Sequence, residues 1–358
     1  MTKIGLRSDA EIIFLVSCFP LTVLFYIVYK YPLLFTLDPT AFYFLGKQPA
    51  FWYSLTYTSI VVLSSFILVV NGRNPYSLKK NEPLSPYLRW KFLSILLSQS
   101  IVFFLIPFIV VPFSGGAEFW NDPPKLPFKS SHIYLWPAFT SVGLALYIFG
   151  VISVVVYFFG KRYCSWFCTC GNLAESVGTT PWGRKWVQEG TPRSPVSRKL
   201  EGIQPVMMVF AIGTGLALFS DITRLVTFDS LSQKILAIQY FATDLLFASI
   251  IGLCAYPFLG TRIWCRYGCP LAGWMHFLGK KIRSRFLVTA NERCRGIGRC
   301  TKTCPMGIDV ESFAHKNKKP LSGSFGLDET PCIGCGGCIA SCPTKALSFT
   351  SPFSKNRT

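Results

Sequence analysis

The sequence predicts a mainly α, polytopic membrane helix bundle of about six transmembrane helices, followed by a small α+β domain at the C-terminus. Three observations predict it. The 358 residues are 51% hydrophobic and 16% aromatic, and the mean hydropathy is +0.39. Charged residues make up only 15%, against roughly 25% in an average soluble domain. The 14 cysteines crowd into the second half. Together these exclude a disordered chain, a coiled coil and most soluble enzymes. Formal charge is +19, from 36 basic and 17 acidic side chains. In a soluble chain that excess points to nucleic acid. Here basic loops beside a membrane and thiolates that the formal count omits come first, so no nucleic acid partner is expected.

Six apolar stretches approach the ~20 residues that a hydrocarbon core demands. They are residues 12–29, 52–70, 92–113, 135–159, 204–219 and 241–259. The fifth is short and contains glycine. The first is too long for a typical signal-peptide core, and no small-residue cleavage site follows it. Trp52, Trp90, Trp136 and Trp264 fall at span edges, as an interfacial aromatic belt in contact with membrane lipid would place them.

Basic residues set the orientation. One side receives Lys3 and Arg7, then Arg73, Lys79, Lys80, Arg89 and Lys91. It also receives Lys161, Arg162, Arg184, Lys185, Arg193, Arg198 and Lys199, and sixteen more basic residues over 261–358. The alternate loops carry two each: Lys30 and Lys47, Lys125 and Lys129, Arg224 and Lys234. Six spans put every rich segment on one side, so both termini are expected in the cytoplasm. The expected organisation is a transmembrane domain over 1–275, a basic juxtamembrane linker over 276–286 and a Cys-rich cytoplasmic domain over 287–358. Lys280, Lys281, Arg283 and Arg285 give the linker its charge, suited to anionic headgroups.

Cytosolic thiols stay reduced, so these cysteines read as metal ligands. Cys332, Cys335, Cys338 and Cys342, followed by Pro343, make C-x2-C-x2-C-x3-C-P. That is the bacterial ferredoxin run for a [4Fe–4S] cluster. Residues 287–358 are therefore expected to form a dicluster ferredoxin-like domain. Cys294, Cys300 and Cys304-Pro305 fit the same frame, but Ile297 occupies the second ligand position. An aliphatic side chain cannot bind iron, so three thiolates remain. The segment CRGIGRCTKTCPMGIDV resembles the [3Fe–4S] segment in the iron–sulfur subunit of succinate dehydrogenases and fumarate reductases. That family also has a non-Cys residue at this position. By the cross-ligation of two-cluster ferredoxins, Cys294, Cys300 and Cys342 are expected to hold a [3Fe–4S] cluster. Cys332, Cys335, Cys338 and Cys304 are expected to hold the [4Fe–4S] cluster. The alternatives for the first site are a [4Fe–4S] cluster with a non-Cys fourth ligand, or a lost site.

An internal repeat supplies four more thiols. Gly160-Lys161-Arg162-Tyr163-Cys164 leads to Cys168, and Gly260-Thr261-Arg262-Ile263-Trp264-Cys265 leads to Cys269. Each copy reads span, Gly, basic residue, aromatic, C-x3-C. If these segments are helical, the spacing puts each pair on one face. Cys164, Cys168, Cys265 and Cys269 suffice for a third Fe–S cluster or a four-thiolate metal ion; structural thiols or zinc are the alternatives.

The chain resembles the NosR/NapH-type membrane ferredoxin proteins, polyferredoxin-like chains with a span bundle, two such motifs just inside the membrane and a C-terminal ferredoxin domain. The resemblance covers about residues 135–343. Thr169 departs from the usual Pro after the first pair, and Cys170 is extra. The resemblance implies electron transfer between the quinone pool and an unidentified redox protein partner in a bacterial cytoplasmic (inner) membrane. Acting as a quinol-oxidising subunit is one form of that role. The rival readings are a membrane redox sensor or metal-centre maturation factor, and a cluster-bearing anchor subunit of a respiratory complex. The three histidines are His132, His276 and His315. None lies deep in a span, so bis-His haem is not expected, while His276 follows the second C-x3-C as a candidate quinone contact. Asp244 lies inside the sixth span, where carboxylates are costly.

Reporter fusions after Lys80, Arg193 and Thr358 should read cytoplasmic, and fusions near Lys125 and Ser232 should read outside. An outside signal at Thr358 would overturn the orientation and put every thiol motif in the wrong compartment.

Overall fold

The computed structural model describes residues 9–30, 42–47, 49–79, 81–114, 134–224, 230–316, 319–320 and 323–350. His132, Lys125 and Lys129 lie outside the described residues, as does the side chain of Asp244. Five helices are long and apolar enough to cross a membrane: Phe51–Asn71, Pro86–Phe113, Val142–Trp166, Pro195–Thr223 and Lys234–Cys254. The shortest have 21 residues, and at ~1.5 Å per residue they match a ~30 Å hydrocarbon core. A further helix of 22 residues, Asp9–Lys30, covers the first expected span. Ile13, Val16, Leu63, Val70, Val154 and Val206 are exposed on these helices. So much open apolar surface is stable against lipid and not against water.

Span edges differ from the hydropathy reading where proline or a turn intervenes. The fourth expected span starts at Val142, not at residue 135. Leu135 has φ 68°, and Trp136–Phe139 forms a tight 3-10 turn around Pro137. The fifth runs longer, over Ile203–Thr223, and closes on Arg224 in the left-handed conformation. The sixth stops at Cys254. Pro257 belongs to a separate turn, Tyr256–Leu259, because proline lacks the N–H that would continue the helix.

Both repeat arms leave their spans by the same device. Gly160 has φ 63° and ψ −147°, and Gly260 has φ 81° and ψ 168°. That region is open essentially to glycine alone. A Cβ at 160 would also lie 2.7 Å from the Phe286 ring, and one at 260 would lie 2.5 Å from Thr191.

The C-terminal domain is built on an antiparallel sheet. Leu287–Ala290 lies between Ser324–Gly326 and Leu347–Phe349. Val288 is aligned with Phe325 on one side and with Phe349 on the other. Short helices Arg299–Thr303, Val310–Ala314 and Gly337–Ala340 carry the intervening chain.

This domain shares its core with the membrane-side segments. One buried apolar cluster runs from Ile148, Ile152 and Val156 through Cys164 and Cys269 to Val288, Cys332 and Leu347. The helix Pro270–Lys281 occupies the first half of the expected linker. Ser284 Oγ then donates to the Val156 carbonyl at 2.6 Å, and Arg285 N–H to the Tyr157 carbonyl at 2.7 Å. Three loops reach the domain from the bundle side. Asn74 donates to the Ala340 carbonyl at 2.9 Å, Ser165 to that of Ile333 at 2.8 Å, and Arg193 to that of Lys302 at 2.7 Å. These loops and the domain therefore share one end of the bundle.

Gly160→Ala should lower stability by about 1–3 kcal/mol from backbone strain, read by denaturant unfolding in detergent. Gly150→Ala is the control, because a Cβ there meets nothing within 4 Å. Equal effects at the two sites would contradict the assigned role of Gly160.

Candidate metal centres

Cys304, Cys332, Cys335 and Cys338 line one cavity, walled by Val288, Met306, Ile308, Phe325 and Phe349. Cys304 ends the helix Arg299–Thr303 in an extended conformation, which turns its thiol from one half of the domain toward the other three. Positive φ at Gly334 and Gly336 bends the Cys332–Cys338 run around the same space. Gly334 N–H donates to Cys332 Sγ at 3.4 Å. Burial pushes the Cys335 thiol up to about 12, and it also raises Cys332, Cys338 and Cys304. Thiolates are stable here only if cationic charge offsets the lost water. Among the described residues no three His, Cys, Asp or Glu side chains converge on a single-ion site. The four thiols surround a volume instead of meeting at a point, and that fits a multinuclear group.

Cys294, Cys300 and Cys342 are only partly buried. Burial raises the Cys300 thiol to about 11, and Cys342 is among the charges acting on it. Ala346 N–H donates to Cys342 Sγ at 3.4 Å. Cys304 and Cys300 both act on Cys338, so thiols from the two halves of the domain face one another. Ile297 is 58% exposed, and its aliphatic side chain offers no ligand atom.

Cys164, Cys168, Cys265 and Cys269 are all buried in one core. The charges acting on Cys269 include Cys265, Cys168 and Cys164, so the repeat arms bring the four together. The pairs do not lie on single helix faces. Cys164 is in the turn Tyr163–Trp166, and Cys168 begins the helix Thr169–Thr179. Cys265 is in the turn Trp264–Gly268, and Cys269 begins the helix Pro270–Lys281. Each second thiol sits in an extended N-cap conformation, and Cys269 Sγ accepts from Ala272 N–H at 3.4 Å. A helix N-terminus favours a thiolate, and each break supplies one that an unbroken helix would not. Cys170, two residues further on, lies outside this quartet and packs against the core.

One ion cluster ties the thiol sets together. Lys91 Nζ donates to Glu175 Oε2 at 2.8 Å and to the Cys335 carbonyl at 3.0 Å. Arg262 pairs with Glu175, donates to the Cys164 carbonyl at 2.9 Å and faces Cys265 Sγ at 3.5 Å. Lys91 and Arg262 are 0% and 1% exposed. Burial alone would raise the Glu175 carboxyl, but the two cations overcome it and hold it below the usual range. The sequence reading counted Lys91 and Arg262 as loop charge and passed over Glu175. The available signals were the repeated basic residue before each C-x3-C, and Glu175 as the sole charge in TCGNLAESVGT.

His276 is partly buried on the helix Pro270–Lys281 and bonds the Leu327 backbone. Burial, then Lys161 and Lys280, push its pKa down to about 4. The imidazole is therefore neutral at pH 7.

Glu175→Ala leaves two buried cations unpaired and should cost about 3–5 kcal/mol, measured by unfolding in detergent. A loss under 1 kcal/mol would show that the cluster is not structural. His276 has a folded pKa below its unfolded value, so it opposes folding as pH falls from about 6.5 toward 4. The slope is at most about 1.4 kcal/mol per pH unit. His276→Gln should flatten the acid limb of stability in that window, and an unchanged limb would contradict the assignment.

A family model described as a 4Fe-4S binding domain matches residues 326–348. A second model of the same description matches twice, over residues 142–188 and 243–288. The double match falls on the two repeat arms. The YccM protein of Escherichia coli, named as a candidate electron transport protein, is 28% identical over 217 residues, covering 58% of this chain and 55% of YccM. The ferredoxin-type protein NapH of Haemophilus influenzae is 23% identical over 219 residues, covering 58% of this chain and 70% of NapH. Subunit I of an NAD(P)H-quinone oxidoreductase from Gloeobacter violaceus is 33% identical over 63 residues, covering 17% of this chain and 30% of that subunit. No solved structure matches this chain. The match thus spans little more than half the length of YccM. With its span bundle, its duplicated C-x3-C arm and its ferredoxin run, the chain is similar to the NapH-type, polyferredoxin-like 4Fe–4S membrane proteins.

Proposed function

We propose that the protein is a membrane-bound iron–sulfur electron carrier that links the quinone pool of a bacterial cytoplasmic membrane to a protein redox partner. One observation carries this reading: the membrane-side thiols are all buried in one core, the middle set joins it with only Cys338 part-buried, and Cys294 and Cys300 of the part-buried outer set pack against its edge. Cys164, Cys168, Cys265 and Cys269 hold the membrane-side cluster. Cys304, Cys332, Cys335 and Cys338 hold the middle [4Fe–4S] cluster. Cys294, Cys300 and Cys342 hold the outer one, a [3Fe–4S] cluster because Ile297 supplies no ligand. When bound, such clusters supply one-electron transfer.

The chain's own residues do the rest. The apolar wall of Val288, Ile308, Phe325 and Phe349 keeps water from the middle site. The Lys91–Glu175–Arg262 cluster fixes the membrane-side set against the middle one. Neutral His276 accepts a hydrogen bond from a quinol hydroxyl near the membrane-side set. The outer set opens to the surface, where a partner protein reaches it. Both termini lie in the cytoplasm on this reading.

Anaerobically purified protein should show the near-isotropic EPR signal of an oxidised [3Fe–4S] centre and should oxidise added quinol when given an artificial electron acceptor. Ile297→Cys should convert that signal to a cubane spectrum. An unchanged spectrum in a stable Ile297→Cys protein would sink the outer-site assignment. Absence of quinol oxidation in cluster-loaded protein would favour a sensor or a passive anchor.

A further inference from the structure

Lys161 is fully buried, and its Nζ has no hydrogen-bond partner among the described residues. An ammonium without water or an acceptor is among the most expensive groups a fold can bury. Glu175 does not relieve it, because that carboxylate already serves Lys91 and Arg262. The position of Lys161 shows what does. It lies in the turn Gly160–Arg162, three residues before Cys164. That turn is wedged between the two inner thiol sets. On one side Arg162 lies against Gly334, and Ser165 donates to the Ile333 carbonyl, both in the Cys332–Cys335 loop. On the other side stands the helix that begins at Cys269. The Lys161 charge acts on Cys164 of the membrane-side set and on Cys332 of the middle set.

We infer that Lys161 is a positioning residue for electron transfer: a shared counter-charge placed between the membrane-side and middle clusters, stabilising the reduced form of both. This rests on the proposed cluster ligation. Gaining an electron makes a thiolate-ligated cluster more negative, and a desolvated ammonium beside it lowers the energy of that state. Because one cation faces two centres, it raises both midpoints together and keeps them level, which suits transfer in small steps. The charges acting on Cys300 of the outer site are instead Cys342 and Glu311.

The test is an anaerobic redox titration followed by EPR on the full-length, cluster-loaded protein, comparing wild type, Lys161→Met and Lys161→Arg. Lys161→Met keeps the volume and removes the charge. It should shift the midpoints of the membrane-side and middle centres to lower potential and leave the outer centre in place. Lys161→Arg should keep all three near their wild-type values. No shift in Lys161→Met, or an equal shift of all three centres, overturns the inference. If Lys161→Met fails to retain iron and acid-labile sulfide while Lys161→Arg retains both, the charge is required for assembly and the inference stands. If both variants lose them, the role of Lys161 is steric and the inference falls. A wild-type protein without acid-labile sulfide is a separate outcome. It removes the cluster reading itself, and the role of Lys161 with it.

Discussion

Glu175 is buried between Lys91 and Arg262, and each cation also donates to a carbonyl of a cysteine loop. Lys91 comes from the helix Pro86–Phe113 and holds Cys335 of the ferredoxin run. Arg262 comes from the second repeat arm and holds Cys164 of the first. One carboxylate therefore joins a membrane span, both repeat arms and the C-terminal domain. Burying three ions costs several kcal/mol per ion, and mutual attraction offsets this only when the geometry is good and every donor is used. Such a cluster fixes one arrangement of its parts more than it adds stability. Here the parts it fixes are the loops that carry the thiols.

The same interior carries more positive than negative side chains. Lys91, Lys161, Arg262 and Arg266 are buried, against the buried acids Glu175 and Glu11, with half-buried Glu201 paired to Arg266. Arg162 is boxed by the rings of Tyr87, Phe286 and Phe349 at 4.5–5.2 Å. An excess of buried cations is unstable unless anions share the space. The buried thiols supply those anions once metal-bound, and the raised thiol pKa values say the same from the other side. Part of the +19 formal charge is thus buried beside thiols that the side-chain count treats as neutral.

The spans were legible because a bilayer imposes a length and a composition that few other environments share. Their edges were not, because hydropathy does not see Pro137, Pro257 or the left-handed Arg224. The C-x3-C pairs were legible as a repeat, since the spacing of Cys164 with Cys168 and of Cys265 with Cys269 survives in one dimension. Their geometry was misread. A four-residue spacing suggests one helix face, whereas each pair brackets a break that gives the second thiol a helix N-terminus. The ion cluster was invisible for a simpler reason. Lys91, Glu175 and Arg262 are 84 and 87 residues apart; the repeated basic residue and the lone Glu175 mark the positions but not that they meet, which only folding decides. Lys161 was hidden by its company, since basic residues beside a span read as loop charge until burial is known.

The central claim is that these thiols surround sulfide-bridged iron. Mössbauer spectroscopy of the full-length protein, grown on 57Fe and purified anaerobically, tests it most directly. Cubane and cuboidal clusters predict the isomer shifts of tetrahedral, sulfur-ligated iron, valence-delocalised in the cubanes and ferric in the oxidised [3Fe–4S] centre, with acid-labile sulfide in step with iron. Protein that is folded in the membrane yet shows only mononuclear iron, or stoichiometric zinc without sulfide, would contradict the account.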